Sequence, residues 1–191
     1  MDSKDIEIEI KVKVEKIEPL KNFLNKNAKL LGETRQIDEY FTPAHRDFTS
    51  VRPVSEWLRL RNDNGKYKIN YKNWHYDKEG KSQSCDEFES SVKNIEQIKK
   101  LFFMLNFKPL VKVDKKRVLW DYKDYIICLD IVENLGTFVE IEFKGGTDDP
   151  KKVTVRMIKF LKDINVGKIQ RNYQGYPFLL LFPEEAKYFQ E

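Results

Sequence analysis

The 191-residue chain predicts an α+β fold dominated by antiparallel strands. The prediction rests on three observations. Apolar and charged residues alternate with period 2 in about eight segments, as half-buried strands require. Tight-turn chemistry joins neighbouring segments, most clearly "NDNG" at 62–65 between "WLRLR" and "KYKINYK", because Asn, Asp and Gly accept the positive φ of a two-residue hairpin turn. Three further segments carry apolar residues at helical spacing.

In chain order, the first strand spans 5–15 and contains "EIEIKVKV", which puts Glu7, Glu9, Lys11 and Lys13 in one row on one face. A helix is expected over 18–30, with Leu20, Phe23 and Leu24 on one stripe and Pro19 suited to its first turn. Strands follow at 35–42, 56–62, 66–73 and 84–92. A second helix covers 94–106 (Ile95, Ile98, Leu101, Phe102, Leu105), strands cover 112–121, 124–132 and 137–144, and a third helix covers 150–164 (Val153, Met157, Ile158, Leu161). That last helix starts in "TDDPKK", acids and a proline where a helix N-terminus favours them. An acidic alternating strand followed by a helix recurs three times, at "EIEIKVKV", "DEFESSV" and "VEIEFKG", each with Glu-x-Glu. The connections at 43–56 and 73–83 read as long polar loops of the kind that form lids or mobile links. No linker-like run divides the chain, so residues 1–191 are expected to form one domain.

Composition narrows the function classes. Hydrophobic residues make up 40% and charged residues 35%, too apolar and aromatic for a disordered chain. No apolar run reaches membrane-spanning length and the start lacks a secretory layout, so a cytoplasmic protein with no membrane partner is expected. Cys85 and Cys128 show no metal or redox spacing and read as buried reduced thiols. His45 and His75 are isolated and are assigned no role. A net charge of +4 is modest, and no nucleic-acid partner is expected.

The charged rows carry the functional signal. One face collects Arg59 and Arg61; Lys66, Lys68 and Lys72; Glu87 and Glu89; Lys115 and Arg117; and Glu140, Glu142 and Lys144. The intervening residues, such as Trp57, Leu58, Leu60, Tyr67, Ile69, Phe88, Val139 and Ile141, are read as the apolar face against which helices pack. The charged face is then left to solvent or to the lumen of a closed barrel. Several rows carry a single sign, a repulsive arrangement unless something of opposite sign lies between them. Glu-x-Glu strands suit a divalent cation, and Arg and Lys rows suit a polyphosphate. Together they match the needs of phosphoryl chemistry.

The ExExK pattern Glu7-x-Glu9-x-Lys11 resembles the signature of the CYTH superfamily, the triphosphate tunnel metalloenzymes. Further similar stretches follow in the family's order: "QIDEYF", "WLRLR", "INYK", "DEFE", "DKKRVLW", "CLDIVENLGTFVEIEF" and "QRNYQGYPFLLLF". The resemblance implies a closed eight-stranded antiparallel β-barrel with helices packed outside and a charged tunnel within. It implies that Glu7, Glu9 and Glu140 are metal ligands for Mg²⁺ or Mn²⁺, with Glu142 extending the same face. Lys11, Arg59, Arg61, Lys72, Lys115 and Arg117 resemble the family's catalytic, triphosphate-binding cations. Glu87, Glu89 and Asp130 fall at acidic tunnel positions in the substrate-binding set, and Arg171, in the same set, is read either as reaching the tunnel mouth or as a surface residue. Lys13 and Lys68 share the face without a family match.

The closing segments look most like the class IV adenylyl cyclase branch, which implies conversion of ATP to cyclic AMP and pyrophosphate. A triphosphatase acting on inorganic, nucleoside or thiamine triphosphate is the alternative. A non-catalytic polyphosphate- or nucleotide-binding module is the third reading, against which the retained carboxylates argue. The expected partner is a small-molecule triphosphate, with a homodimer a possible assembly.

Overall fold

The computed structural model describes residues 6–146 and 149–191, and at Ile6, Glu7 and Gln83 it describes the backbone alone. Among the described residues eleven strands and four α-helices follow one another: β1 (Ile6–Glu7), β2 (Glu9–Val14), α1 (Glu18–Asn27), β3 (Lys29–Thr42), β4 (Glu56–Asp63), β5 (Lys66–Tyr76), β6 (Ser82–Val92), α2 (Ile95–Met104), β7 (Lys108–Tyr122), β8 (Tyr125–Val132), β9 (Gly136–Phe143), α3 (Pro150–Asp163), β10 (Ile169–Arg171), α4 (Gly175–Leu181) and β11 (Phe189–Gln190). The fold is therefore α+β, with all strands in one antiparallel sheet ordered β1-β6-β5-β4-β3-β7-β8-β9-β2-β10-β11.

Among the described residues no ladder joins β1 to β11, so the sheet is an open series and not the hydrogen-bonded ring of eight expected from the sequence. It nevertheless curls strongly. Counted through β4, β3, β7, β8 and β9, strands β5 and β2 are six ladder steps apart, roughly 29 Å in a flat sheet. Yet Lys72 on β5 places its Nζ 3.9 Å from Glu9 on β2. The first run of chain contributes to both sides of the curl: Glu7 pairs with Cys85 on β6, and after Ile8 the strand pairs with β9 through Glu9↔Glu142 and Lys11↔Glu140.

The β4–β5 hairpin forms as the sequence predicts. Asn64 (φ 47°) and Gly65 (φ 83°) make the two-residue turn between the paired Asp63 and Lys66, and the Gly65 amide donates to Asn62 Oδ1 at 2.8 Å. Other boundaries differ from expectation. The first helix stops at Asn27 because Ala28 is already extended and Lys29 enters a long ladder with β7, so tertiary pairing overrides local helical spacing. The segment 73–83 is mostly strand, with a turn at 77–81 in which the Asp77 carboxylate accepts from the amides of Glu79 and Lys81. The 43–55 connection is pinned, since Phe48 and Val54 are buried and Asp47 caps a short 3₁₀ turn at Phe48–Ser50. Helix α4 and the short β10 and β11 were not expected: "GYPFLLL" is a continuous apolar run with no helical period.

The outer face of the sheet meets α1 and α3. Ile10, Val12 and Ile141 pack with Leu20 and Leu24 of α1 and with Val153, Met157 and Leu161 of α3. Helix α2 covers Phe41 and Leu60 through Ile95 and Phe102. Both buried thiols, Cys85 and Cys128, belong to strands. No described helix is long and apolar enough to cross a membrane.

This packing predicts that Leu161→Ala, at a position with no solvent exposure, lowers the unfolding free energy by about 2–5 kcal/mol. Leu101→Ala, at a residue 54% exposed, should change it by about 0.5 kcal/mol or less. Urea unfolding of the two variants checks the contrast.

Candidate functional site

The inner face of the curled sheet encloses a cavity of about 680 Å³. Glu9, Lys11, Arg59, Arg61, Lys72, Glu87, Glu89, Lys115, Arg117, Glu140 and Glu142 all line it. The period-2 geometry that aligns each row on its strand, together with the curl, brings the rows into one space. Lys68 and Lys144 stand at its rim. Glu7 shares the strand face, and its side chain lies outside the described residues.

Trp57 departs from the expected apolar outer face. It has the same parity on β4 as Arg59 and Arg61 and lines the cavity, as do Tyr40 of β3 and Trp74 of β5. Asp130 and Arg171 are not among the residues lining the cavity. Asp130 lies immediately behind it, fully buried, and Arg171 is buried against the Tyr173 ring with Glu191 at 3.9 Å.

Buried carboxylates hold the cations in place. Asp130 accepts two hydrogen bonds from Arg117, both at 2.6 Å, and one from the Tyr176 hydroxyl at 2.8 Å, with Lys115 Nζ 3.6 Å away. Arg117 also donates to Glu140 at 2.8 Å, and Glu140 lies 3.2 Å from Lys11. On the opposite wall, Asp38 accepts two bonds from Arg61, at 2.6 and 2.7 Å, and a longer one from Arg59. Asp38 was missed in the sequence. Its signal was its place in "QIDEYF", opposite Arg61 in the β3–β4 register. Tyr176 was also missed, and its ring lies 4.7 Å from Lys11 Nζ and 5.2 Å from Lys115 Nζ, close enough for cation–π attraction.

These contacts set the ionisation states. Burial raises a carboxyl pKa, yet Arg59 and Arg61 hold Asp38 below the usual carboxylate range, Lys115 and Arg117 do the same for Asp130, and Arg117 and Lys11 for Glu140. Burial opposes the charge on Lys11, but Glu9 and Glu140 more than offset it, so its pKa lies above the ordinary lysine value. Lys115 is the exception: burial, with Arg117 beside it, lowers its pKa to about 8.

Metal binding requires carboxylates aimed at one space. Among the described residues no three His, Cys, Asp or Glu form a ready cage. Glu9 and Glu142 are direct cross-strand neighbours on the cavity face, a like-charge pairing to which Lys11, 3.2 Å from Glu9, gives one cation and a metal ion would add more positive charge. Two carboxylates completed by phosphate oxygens and water is a donor set that suits Mg²⁺. The residues therefore fit a divalent cation shared with a phosphate ligand.

The CYTH domain family matches residues 5–173, and the chain belongs to that family. A Methanocaldococcus jannaschii protein bearing the provisional name adenylate cyclase is 32% identical over 173 residues, which cover 88% of this chain and 96% of that protein. The solved structure of the PH1819 protein of Pyrococcus horikoshii OT3 is similar with a TM-score of 0.76 at 26% identity, over 94% of this chain and 99% of that one. A Hippeastrum protein, provisionally an adenylyl cyclase and described as having a dominant triphosphatase activity, has a TM-score of 0.64 at 23% identity, over 93% and 95% of the two chains. At that identity the likeness concerns the fold alone.

Removing one member of a buried ion pair leaves the other uncompensated, so Asp130→Asn should lower stability by about 3–5 kcal/mol. Glu89→Gln, whose partner Lys68 is at the exposed rim, should cost about 1 kcal/mol or less. Chemical unfolding at neutral pH measures both, and equal small losses would remove Asp130 from its anchoring role.

Proposed function

We propose that this protein is a metal-dependent enzyme acting on a triphosphate bound in the lumen of a barrel formed by the curled sheet, and that its reaction is cyclisation of ATP to cyclic AMP and pyrophosphate. The observation that carries the reading is the set Lys11, Arg59, Arg61, Lys72, Lys115 and Arg117 facing one cavity beside the Glu9–Glu142 pair. Cations already held by Asp38, Asp130 and Glu140 need little reorganisation when charge develops on phosphate oxygens. Arginine forks match phosphate oxygens in geometry, and the lysines add point charges. Glu9 and Glu142, with Glu7 and Glu140, are the proposed ligands for Mg²⁺ or Mn²⁺, which when bound would neutralise phosphate charge.

For cyclisation, the ribose 3′-oxygen bonds to the α-phosphorus, the bond from that phosphorus to the α–β bridging oxygen breaks so that pyrophosphate departs, and the hydroxyl proton passes to solvent water. The chain's own residues contribute by binding the departing pyrophosphate and fixing the phosphate chain in line with the hydroxyl. The position of Glu9 and Glu142, one pleat nearer the exposed Gly145–Gly146 rim than Lys11 and Glu140, supports this reading, since it places charge control where a nucleoside would join the chain. The provisional name of the 32% identical relative agrees. A second reading, hydrolysis of the terminal phosphate, is favoured by the depth of the cations, with Lys115 only 3% exposed.

Incubation of ATP with Mg²⁺ or Mn²⁺ and identification of products tests the choice. Cyclic AMP and pyrophosphate are expected from ATP, and 3′-deoxy-ATP should give no cyclic product. ADP and orthophosphate from both would replace cyclisation with hydrolysis. Glu9→Gln and Glu142→Gln should each lower metal-dependent turnover by on the order of 100-fold or more, because an amide keeps the shape and loses the charge that holds a hard cation.

Lys115 adds a pH test. With a pKa of about 8 against an ordinary 10.5, it is largely neutral at pH 9 in the free protein. A polyphosphate favours its charged form, so Lys115 is expected to take up a proton on binding at pH 9, and its contribution to affinity is expected to fall as pH rises above 8. Below that value Lys115 is already charged and contributes no slope. Calorimetric titration of metal-free tripolyphosphate at pH 9, in buffers of different ionisation enthalpy, should show proton uptake that Lys115→Arg largely abolishes. Equal uptake in both proteins would mean that the phosphate does not reach Lys115.

A further inference from the structure

The positive charge of the chain is gathered on one helix. The whole chain carries a net charge of +4, and α3 alone carries the same +4, with Lys151, Lys152, Arg156, Lys159 and Lys162 against the single acid Asp163. Helices α1 and α2 are closer to balance, with Glu18 against Lys21 and Lys26 and Glu96 against Lys99 and Lys100. Lys152, Arg156 and Lys159 stand at i, i+4 and i+7, which lines them along one face of α3 for about 10 Å. An amphipathic helix needs a polar face and gains nothing from a single-signed one, since like charges four residues apart repel.

That face borders a groove of about 560 Å³ between α3, the start of α1 and the β7–β8 turn, on the outer side of the sheet. The groove has an aromatic floor. Tyr122 and Phe160 lie 28° from parallel with ring centroids 5.4 Å apart, and Phe23 meets them edge-on at 5.3 and 5.6 Å. All three rings are partly buried and line the groove, with Lys123, Arg156 and Lys159 around them. Nearby acids are engaged by other cations: Asp163 by Lys159 at 2.7 Å, Glu18 by Lys21 at 3.3 Å and Asp121 by Lys144 at 2.6 Å. Lys123 and Arg156 instead sit over rings, Tyr122 at 5.2 Å and Phe143 at 5.6 Å.

We propose that this groove binds single-stranded nucleic acid, with backbone phosphates met by Lys123, Arg156 and Lys159 and an unstacked base laid against Tyr122 and Phe160. The modest overall charge, from which no nucleic-acid partner was expected, conceals this concentration on α3. Cations beside open aromatic rings satisfy both parts of such a ligand, its anionic backbone and the π-face that every base carries. A duplex keeps its bases stacked and offers the groove only phosphates. An anionic membrane would need apolar groups that project into it, whereas these rings are recessed between α1, α3 and the sheet. The site lies across the sheet from the cation-lined cavity and does not depend on the triphosphate reading.

The test is fluorescence anisotropy of the full-length protein with 3′-labelled dodecamers of uridine and of deoxythymidine, in metal-free buffer. A 5′-hydroxyl end on each withholds the terminal phosphate that the inner cavity could take. At least one dodecamer should bind, and the tighter of the two tells RNA from DNA. The slope of log affinity against log salt should be about −2, for three phosphate contacts at roughly −0.7 each. Lys123→Glu with Arg156→Glu should weaken binding by on the order of tenfold or more and bring the slope toward about −0.7. Tyr122→Phe should bind as the unaltered protein does, and Tyr122→Leu, which keeps the bulk and loses the ring, should bind on the order of tenfold more weakly. Tripolyphosphate affinity of the double variant, by calorimetry, should stay within about threefold, since the exchanged charges are distant and screened. Parallel loss of both ligands would put the oligonucleotide in the inner cavity and overturn the groove. So would failure of both dodecamers to bind, equal affinity for a duplex of the same length, or unchanged affinity in the double variant or in Tyr122→Leu. Retention on phosphatidylserine vesicles without oligonucleotide binding would assign the basic face to a membrane instead.

Discussion

Everything in this fold is arranged around the cost of holding like charges together out of water. Arg61, Lys115 and Arg117 are each at most 9% exposed, and bringing such groups inside a protein costs several kcal/mol apiece unless each is paired. Asp38 and Asp130 supply the pairing from positions with 1% and no exposure, using both carboxylate oxygens in fork-like contacts with arginine. The ion pairs are a condition for forming the cavity at all. Stability comes from elsewhere, from the apolar outer face against α1, α2 and α3 and from the collar around α4. The sheet thus separates its tasks by face, and the strand period of two lets one segment serve both.

The same period explains how much of the fold is legible in the sequence. Alternation located all eight main strands, and helical spacing located α1, α2 and α3, although Leu101 and Leu105 of the stripe read for α2 are exposed and only its Ile95 and Phe102 are buried. It also marked the cations and carboxylates that meet in the cavity, since a row such as Arg59–Arg61 or Glu140–Glu142 stays in line however the sheet is bent. The rest depended on contacts distant in sequence. Asp38 announces its partner only through the β3–β4 register. Trp57 looked like outer core because it is apolar, although its parity placed it inside. Helix α4 is buried on most sides, so its sequence lacks the polar stripe that reveals an amphipathic helix. The end of α1 is hidden in the sequence because a long ladder takes over residues of good helical pattern.

Asp130 illustrates how a residue can sit in an inward-facing row and still not line the cavity. Its parity puts it on the inner face of β8, yet Arg117, Lys115 and Tyr176 cover it completely. The surrounding cations then hold it ionised despite burial. Its effect on a bound anion would be to orient Arg117, and through Tyr176 it also ties the α4 floor to the cation cluster. Asp38 acts likewise on Arg59 and Arg61 from the far wall. Two buried aspartates thereby set the directions of three arginine side chains on opposite sides of one cavity.

Charge balance finally links the carboxylates to the phosphate reading. Among the described residues, the cavity's Lys11, Arg59, Arg61, Lys68, Lys72, Lys115, Arg117 and Lys144 are matched in number by the lining Glu9, Glu87, Glu89, Glu140 and Glu142 together with Asp38, Asp130 and Asp121. A site near electroneutrality gains little from long-range attraction to a tetravalent anion, whatever its count of lysines and arginines. It selects by geometry instead: individual cations reach phosphate oxygens while nearby carboxylates repel them. A triphosphate accompanied by divalent cations resolves that conflict, because the added positive charge offsets the repulsion between Glu9 and Glu142 while the phosphate meets Arg59, Arg61 and Arg117. On this reading the acids strengthen the hold on a metal–triphosphate complex beyond that on the bare anion, which the cations alone still bind, and this accounts for like-charged rows of both signs lining one enclosed space.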